Sequence, residues 1–360
     1  MPIMIHKDFE LNGHSFDSTD DLIEFSESIS SEIKLFLNCF LSKLDTIKLQ
    51  TSGSTGNPKV IEVRKIFMVN SAKATGCFFN INKKTTALLC MNFNYVGAQM
   101  MLVRALVLGW KLDVVEPNSN PLKEINKSYD FCAMVPIQVA GSLASLNKIK
   151  ILIIGGGIVS KKLLNALQKI KTVCFSTYGM TETVSHIAMQ KLNNFKDVIS
   201  SAVEKSHYKV LPNIAISTDK RNCLVINAPK IASEEIITND VVEIISDSEF
   251  KWIGRYDNII NSGGIKLNPE QIEEKLSKII KERFFITSVP DTVLGEKIIL
   301  IVEGTSTPLN DQKNVILNEM KNLKSLSKYE IPKEIYFVSN FVETETKKIQ
   351  RNKTLNLIQK

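Results

Sequence analysis

The stretch TSGSTGNPK, residues 51–59, sets Gly53 and Gly56 among four hydroxyl side chains and one lysine. The glycines let the backbone bend and approach a ligand, while Thr51, Ser52, Ser54 and Thr55 offer hydroxyls and consecutive amides to phosphate oxygens. Lys59 adds a positive charge at the rim. A nucleotide P-loop would end in Gly-Lys-Ser/Thr; here Pro58 precedes the lysine and Val60 follows it, so the sequence predicts a phosphate loop of another kind. A second candidate is STYGMTETVSHIA from Ser176. Glu182, in a Thr-rich turn at a strand end, is placed to hold a divalent ion on phosphates, and Tyr178 either stacks on a base or fills a core beside the tight turn that Gly179 permits. In ITNDVVEIISDSEFKWIGRYDNIINSGGIKLNPEQIE, Asp240 and Arg255 stand at the two ends of a β run. A carboxylate pairs well with vicinal ribose hydroxyls, and an arginine supplies further donors. The last candidate, TETKKIQRNK, read in isolation is a solvated lysine-rich tail.

The elements that must position these residues read as an α/β protein. Short runs rich in Val, Ile and Leu (TIKLQ, TALLCM, LDVVEP, FCAMVP, KILIIGG, TVCFSTYG) alternate with helical periodicity near 64–80, 97–109, 136–147 and 160–170, the pattern of a mostly parallel sheet flanked by helices. Beyond Thr183 the strands are closely spaced (VSHIAMQKL, YKVLPNIAIST, CLVINAP, DVVEIIS, FKWIG), which predicts an antiparallel section. After Gly254 a helix capped by Asn268 with Pro269 at its first position is followed by strands FFITSVP and EKIILIVEG, a helix near 310–325 and the strand EIYFV. The reading is therefore a large domain over 1–256, with mixed sheets flanked by helices plus the antiparallel section, and a small α+β domain over 257–360.

Composition bounds the function. The chain has 360 residues, 44% apolar, and a formal charge of +7 from 45 basic and 38 acidic residues spread along its length, which suits anionic small ligands better than nucleic acid. The six cysteines are scattered without a CxxC pair and read as buried thiols of a reducing compartment. No stretch reaches the roughly 20 apolar residues of a membrane span. GAQMMLVRALVLGW is too short and carries Arg104 at its centre. A cytoplasmic protein without stable membrane insertion is expected.

Taken in order and at these separations, TSGSTGNPK, YGMTE, GRYDNIINSGGIKLNPEQIE and the terminal lysine motif resemble the signatures of the adenylate-forming superfamily of acyl-CoA synthetases, luciferases and peptide-synthetase adenylation domains, over about residues 47–353. That resemblance implies a two-step reaction with ATP, Mg²⁺ and CoA: a carboxylic acid attacks the α-phosphorus of ATP, pyrophosphate leaves, and a thiol then displaces AMP from the acyl adenylate. It implies that residues 51–56 and Lys59 embrace the β- and γ-phosphates, that Gly155, Gly156 and Tyr178 with Gly179 flank the adenine, that Thr181 contacts the α-phosphate, and that Glu182 holds Mg²⁺. Asp240 and Arg255 would bind the ribose hydroxyls. Lys348 would bridge the acid and the α-phosphate. Asp257 would be the hinge of a mobile C-terminal domain that then presents the Gly263-Gly264 loop to the CoA arm. Two positions depart from the family pattern. Asn239 stands where glycine is usual, and asparagine tolerates a left-handed turn; Lys347 stands where glycine precedes the catalytic lysine, and the following IQR favours Lys348.

The short segment before the phosphate loop, with GAQMMLVRALVLGW, YGMTETVSHIA and KWIGRYDNIINSGGIKLNPEQIE, is similar to bacterial o-succinylbenzoate:CoA ligases of menaquinone biosynthesis. The resemblance implies an aromatic keto acid with two carboxylates as substrate. A buried charge must be paired, so Arg104 either pairs with a structural carboxylate, snorkels to solvent, or neutralises the acid group that does not react. His186 is either a satisfied strand histidine or a pocket residue, and Asn94 and Tyr95 at the entry to the same helix are candidates to line the acyl pocket. A second reading keeps the chemistry and loads another aryl or short-chain acid onto CoA or a carrier protein; a non-catalytic nucleotide-binding relative is the third. The expected partners are the acid, ATP and CoA, with no nucleic acid and a homodimer allowed.

Overall fold

The computed structural model describes residues 3–50, 60–194, 207–304, 309–344 and 348–358. The chain divides into two compact units. One comprises Met1–Ile216, Ile226–Ile236 and Ile245–Phe250; the other comprises Ser217–Val225, Ile237–Ile244 and Lys251–Lys360.

In the first unit the strands are β1 (Glu10–Leu11), β2 (Thr46–Gln50), β3 (Val60–Arg64), β4 (Thr86–Leu89), β5 (Lys111–Val114), β6 (Tyr129–Met134), β7 (Ile149–Ile154), β8 (Val173–Gly179), β9 (His186–Lys191) and β10 (Tyr208–Val210). The helices are α1 (Thr19–Glu27), α2 (Ser31–Leu41), α3 (Lys65–Phe79), α4 (Val96–Leu108), α5 (Pro136–Gly141) and α6 (Lys161–Leu167). Strands β1-β5-β4-β6-β7-β8-β9-β10 are neighbours in that order. Pairing is parallel as far as β8 and turns antiparallel at β8–β9 and β9–β10, as the change of spacing beyond Thr183 predicts.

Alternation along the parallel strands explains the two buried faces. Ala87, Leu89, Phe131, Ala133 and Ile153 join a core with residues of α3 and α4, whereas Leu88, Cys132, Met134, Leu152 and Ile154 join another with Val139, Leu163 and Leu167 of α5 and α6. A strand covered on both sides must be apolar at every position, which is why KILIIGG reads as a continuous run. Strands β2 and β3 form a separate antiparallel ribbon in register through Gln50↔Val60.

Several boundaries differ from the sequence reading. The helix read near 136–147 breaks after Gly141, where a Cβ would stand 2.0 Å from the Ser119 carbonyl, and continues as a 3₁₀ turn over Leu143–Lys148. YKVLPNIAIST is two strands, because Pro212 lacks an N–H for the ladder and Asn213 turns left-handed at φ +66. The N-terminal helices α1 and α2 are additional to the sequence reading, and Ser18 and Ser30 cap them by accepting from backbone amides. Of the six cysteines, Cys39 and Cys77 are exposed rather than buried.

From Ala215 onward come β11 (Ala215–Thr218), β12 (Cys223–Asn227), β13 (Ile236–Ser246) and β14 (Glu249–Arg255), in the order β14-β13-β12-β11. The second unit continues with β15 (Ile260–Ser262), β16 (Ile265–Leu267), α7 (Pro269–Leu276), β17 (Phe284–Asp291), β18 (Gly295–Glu303), α8 (Leu309–Asn322), β19 (Glu334–Val338) and α9 (Arg351–Leu355). Its small sheet runs β16-β15-β18-β17, with β19 parallel to β18. Ile298, Leu300 and Val302 face Ile272, Leu276 and Met320, while Ile299 and Ile301 face Phe285 and Phe341. Asn268 caps α7 as predicted, accepting from the amides of Glu270 at 3.1 Å and Gln271 at 3.4 Å. Among the described residues, no helix is long and apolar enough to cross a membrane.

Candidate functional site

In the first unit the parallel strands β6, β7 and β8 end at one edge of the sheet, and in such sheets the crevice beyond the carboxyl ends receives ligands. Gly155 and Gly156 leave β7 there. The Gly155 N–H donates to the Met134 carbonyl at 3.1 Å, and a Cβ on Gly155 would stand 2.7 Å from Thr177 Oγ1. Gly156 has φ +76, a left-handed conformation that favours glycine, whereas at Gly155 it is the Thr177 side chain that leaves no room for a Cβ.

The end of β8 carries Tyr178, Gly179, Thr181 and Glu182. Tyr178 is half-buried and packs edge-on against Phe250 (5.2 Å between centroids) and Tyr208 (5.7 Å), an aromatic cluster in keeping with its packing reading. A Cβ on Gly179 would stand 2.3 Å from the Ser185 carbonyl oxygen and 2.5 Å from His186 Cα, both backbone atoms that cannot yield. Thr181 begins a 3₁₀ turn, and Glu182 is exposed on it. The turn closes through Val184, a β-branched residue at φ 65 and ψ −47, where the Ser185 N–H donates to the Thr183 carbonyl at 2.7 Å. Such a γ-turn is strained, and strain of this kind gathers at functional sites.

Behind that turn lies a buried polar cluster. Arg104, from the middle of α4, is 1% exposed, and among the described residues no carboxylate pairs with it. Its Nε donates to Thr75 Oγ1 at 3.2 Å, and one terminal nitrogen to Ser185 Oγ at 2.9 Å and towards His186 Nδ1 at 3.5 Å. Burial pushes the guanidinium down to about 9, which leaves it charged at neutral pH. His186 Nε2 is 3.0 Å from the same Thr75 hydroxyl. Thr75 directs its one proton to the Ser71 carbonyl at 3.1 Å, so it accepts from both Arg104 and His186. His186 is therefore the neutral Nε2–H tautomer with its Nδ1 lone pair towards Arg104, and burial together with the Arg104 charge holds its pKa well below the ordinary range. His186 also lines a cavity of about 210 Å³. Asn94 and Tyr95 stand at the entry to α4, Asn94 exposed and Tyr95 half-buried as the N-cap residue, and neither lines that cavity.

The second unit holds Asp240, Arg255, Asp257 and Lys348. Asp240 is 8% exposed, accepts from Trp252 Nε1 at 3.1 Å and lies 3.6 Å from Arg255. Arg255 also donates to Asp257 at 2.7 Å, and Asp257 accepts from Asn239 Nδ2 at 3.1 Å. Asn239 in turn accepts from Arg221 at 2.9 Å. Asn239 sits within β13 and not in the left-handed region, so the glycine-to-asparagine departure is absorbed by a side-chain bridge rather than by a turn. Trp252 and Arg221 carry no motif signal that single-sequence reading could have used. Gly263 and Gly264 turn left-handed at φ +59 and +79, with open space where a Gly264 Cβ would go.

Lys348 is half-buried, and its backbone pairs with Thr344 through N–H to Oγ1 at 3.1 Å. Burial, and then the Arg255 charge, push its ammonium below the ordinary lysine range. No carboxylate pairs with it among the described residues. Thr51, Ser52, Gly53, Ser54, Thr55, Gly56 and Lys59, together with Lys347, lie outside the described residues.

The family described as AMP-binding enzyme matches residues 49–216. A 2-succinylbenzoate–CoA ligase from Lactococcus lactis is 24% identical, over 93% of this chain and 76% of the relative. The crystal structure of an acyl-CoA synthetase (AMP-forming)/AMP-acid ligase II-like protein from Dyadobacter fermentans is 34% identical, covering 91% of this chain and 94% of that one, with a TM-score of 0.60. The o-succinylbenzoate coenzyme A synthetase of Bacillus subtilis, solved with ATP and magnesium, shares the fold at a TM-score of 0.71 and 18% identity, over 86% of this chain and 69% of that one.

Proposed function

This chain belongs to the AMP-binding enzyme family and is an AMP-forming acid–CoA ligase, and from that premise we propose that its acid is o-succinylbenzoate, converted to o-succinylbenzoyl-CoA for menaquinone biosynthesis in the cytoplasm. The observation that carries this reading is the buried Arg104 guanidinium, which the described residues leave without a carboxylate just behind the Glu182 turn. A substrate with a second, non-reacting carboxylate supplies the missing counter-charge. Several relatives named 2-succinylbenzoate–CoA ligase support the choice of acid.

In the proposed first step a carboxylate oxygen of the acid attacks the α-phosphorus of ATP, and the bond to the β-phosphate oxygen breaks with loss of pyrophosphate. Two anions must meet, so a cation between them is the main requirement. Lys348 takes that role, and Thr181 contacts the α-phosphate. Thr51–Gly56 and Lys59 would hold the β- and γ-phosphates, Gly155, Gly156, Tyr178 and Gly179 the adenine, and Asp240 with Arg255 the ribose. Glu182 suits Mg²⁺, because that ion takes one or two carboxylates and fills its shell with phosphates and water; when bound it would neutralise phosphate charge. In the second step the CoA thiolate attacks the acyl carbon and AMP departs. We assign the boundary between domains 1–256 and 257–360 to Asp257, the hinge, with Gly263 and Gly264 meeting the CoA arm.

The test is pyrophosphate release from ATP, Mg²⁺ and o-succinylbenzoate, with and without CoA, for the native chain and Lys348→Ala. Acid-dependent release that the substitution lowers by roughly a hundredfold or more, with an acyl-CoA product when CoA is present, is the expected result. Activity with another aryl or short-chain acid but not with this one would discard the acid and keep the chemistry.

A further inference from the structure

The cavity of about 210 Å³ that His186 touches lies between the outward side of α3, the turn at Leu211–Ile214 and the segment around Lys230. Its polar groups are unbalanced. Lys73 and Lys230 line it, and among the described residues no aspartate or glutamate does. Lys230 is held in place at both ends: its carbonyl accepts from Asn70 Nδ2 at 2.8 Å, and its ammonium donates to Asn213 Oδ1 at 3.0 Å, which leaves two N–H bonds unused by that contact. Deeper in, Ser71 is 1% exposed and its hydroxyl has no hydrogen-bond partner among the described residues, although a buried hydroxyl ordinarily finds one. His186 offers the cavity no acceptor by way of Nε2, since that N–H is committed to Thr75, and its imidazole stays neutral beside the buried Arg104.

The remaining wall is apolar, with Leu211, Ile214 and Ile231. The turn that supplies part of it is fixed by Pro212, by Asn213 at φ +66 and by the Leu211 N–H donating to the Ile187 carbonyl at 2.8 Å, so the space is built into the fold. A cavity that carries two lysines and no carboxylate among its described lining, and is partly apolar, selects a small anion with an apolar body.

We infer that this cavity is a binding site for a small amphiphilic carboxylate, its charged end at Lys230 and Lys73 and within reach of the Ser71 hydroxyl, its apolar body against Leu211 and Ile231. The carboxylate has two chemical sources, the far end of the ligase's own acid, which would then meet Lys230 and Lys73 in place of Arg104, or a separate molecule. The assignment does not rest on the acid proposed above, because binding is measured without ATP and with simple probes.

Saturation-transfer NMR on the full chain, with benzoate and succinate as probes, tests it. Benzoate is expected to bind and succinate, which has no apolar body, to bind at least tenfold more weakly. Lys230→Ala, at an exposed position, is expected to weaken benzoate at least tenfold, and Ala74→Leu, which fills the cavity from α3, to remove binding, each with an unchanged circular dichroism spectrum and melting temperature. Absence of benzoate binding to the native chain, or binding that both substitutions leave intact, overturns the inference. Two outcomes support it and separate the sources: a raised KM for the acid in Ala74→Leu with kcat kept means that the site takes the substrate's far end, and lost benzoate binding with an unaltered KM means that a separate molecule occupies it.

Discussion

Arg104 and Lys348 are two cations without a carboxylate partner among the described residues, and Arg104 is met there by the neutral groups of Thr75, Ser185 and His186. A buried charge without a counter-charge carries a desolvation cost that an apolar side chain of similar size does not, while hydrogen bonds to a charged group are worth about 1.5–3 kcal/mol. Arg104→Met is therefore expected to keep or raise the melting temperature and to raise KM for a dicarboxylic acid roughly ten- to a hundredfold, with calorimetry and steady-state kinetics as the two readouts. A melting temperature that falls with an unchanged KM would return Arg104 to a purely structural role. In the role proposed for it Lys348 would bridge two anions only while protonated, and burial together with the Arg255 charge lowers its pKa. As pH rises through that lowered pKa the charge is lost, so the adenylation rate is expected to fall on the alkaline side before the ordinary lysine range is reached. Lys348→Arg keeps its charge and is expected to move that limb upward; a pH–rate profile identical in both proteins would remove Lys348 from the titration.

At the scale of elements, the β8–β9 connection is tightly constrained. Gly179 admits no Cβ because Ser185 and His186 backbone atoms occupy the space, and Val184 is held at positive φ by the γ-turn that follows Glu182. Gly179→Ala is expected to cost about 1–3 kcal/mol as an overpacking change and to lower activity by displacing Glu182, measured by urea denaturation and pyrophosphate release. Element types were legible here because the apolar period changes from continuous runs to closely spaced strands near Thr183. Breaks inside elements were not. The interruption of YKVLPNIAIST has a visible signal in Pro212-Asn213, and Ser18 with Asp21 is a visible capping signature for α1, but the close approach of Gly141 to the Ser119 carbonyl involves residues with no pattern in common.

At the scale of the molecule, the proposed roles give the two half-reactions different residues, which predicts that they can be separated. Gly264 has open space for a side chain and pays only for its left-handed backbone, about 1–2 kcal/mol in a residue other than glycine. Gly264→Leu is expected to leave adenylate formation within about twofold and to slow thioester formation tenfold or more by obstructing the CoA arm, measured as pyrophosphate exchange against acyl-CoA production. Equal loss in both would take the Gly263-Gly264 loop out of the CoA path. The sequence by itself determined the reaction class and the α/β frame, because phosphate loops, capped helices and glycine turns are local chemistry written in neighbouring residues. Only the tertiary structure decided how the charges are met. Thr75, Ser185 and His186 gather around Arg104 from α3 and from the turn after β8, and Trp252, Asn239 and Arg221 link Asp240, Arg255 and Asp257 into one network. These partners are distant in the chain, and hydrogen bonding among buried groups depends on which side chains the packing brings within about 3 Å, not on their order along it.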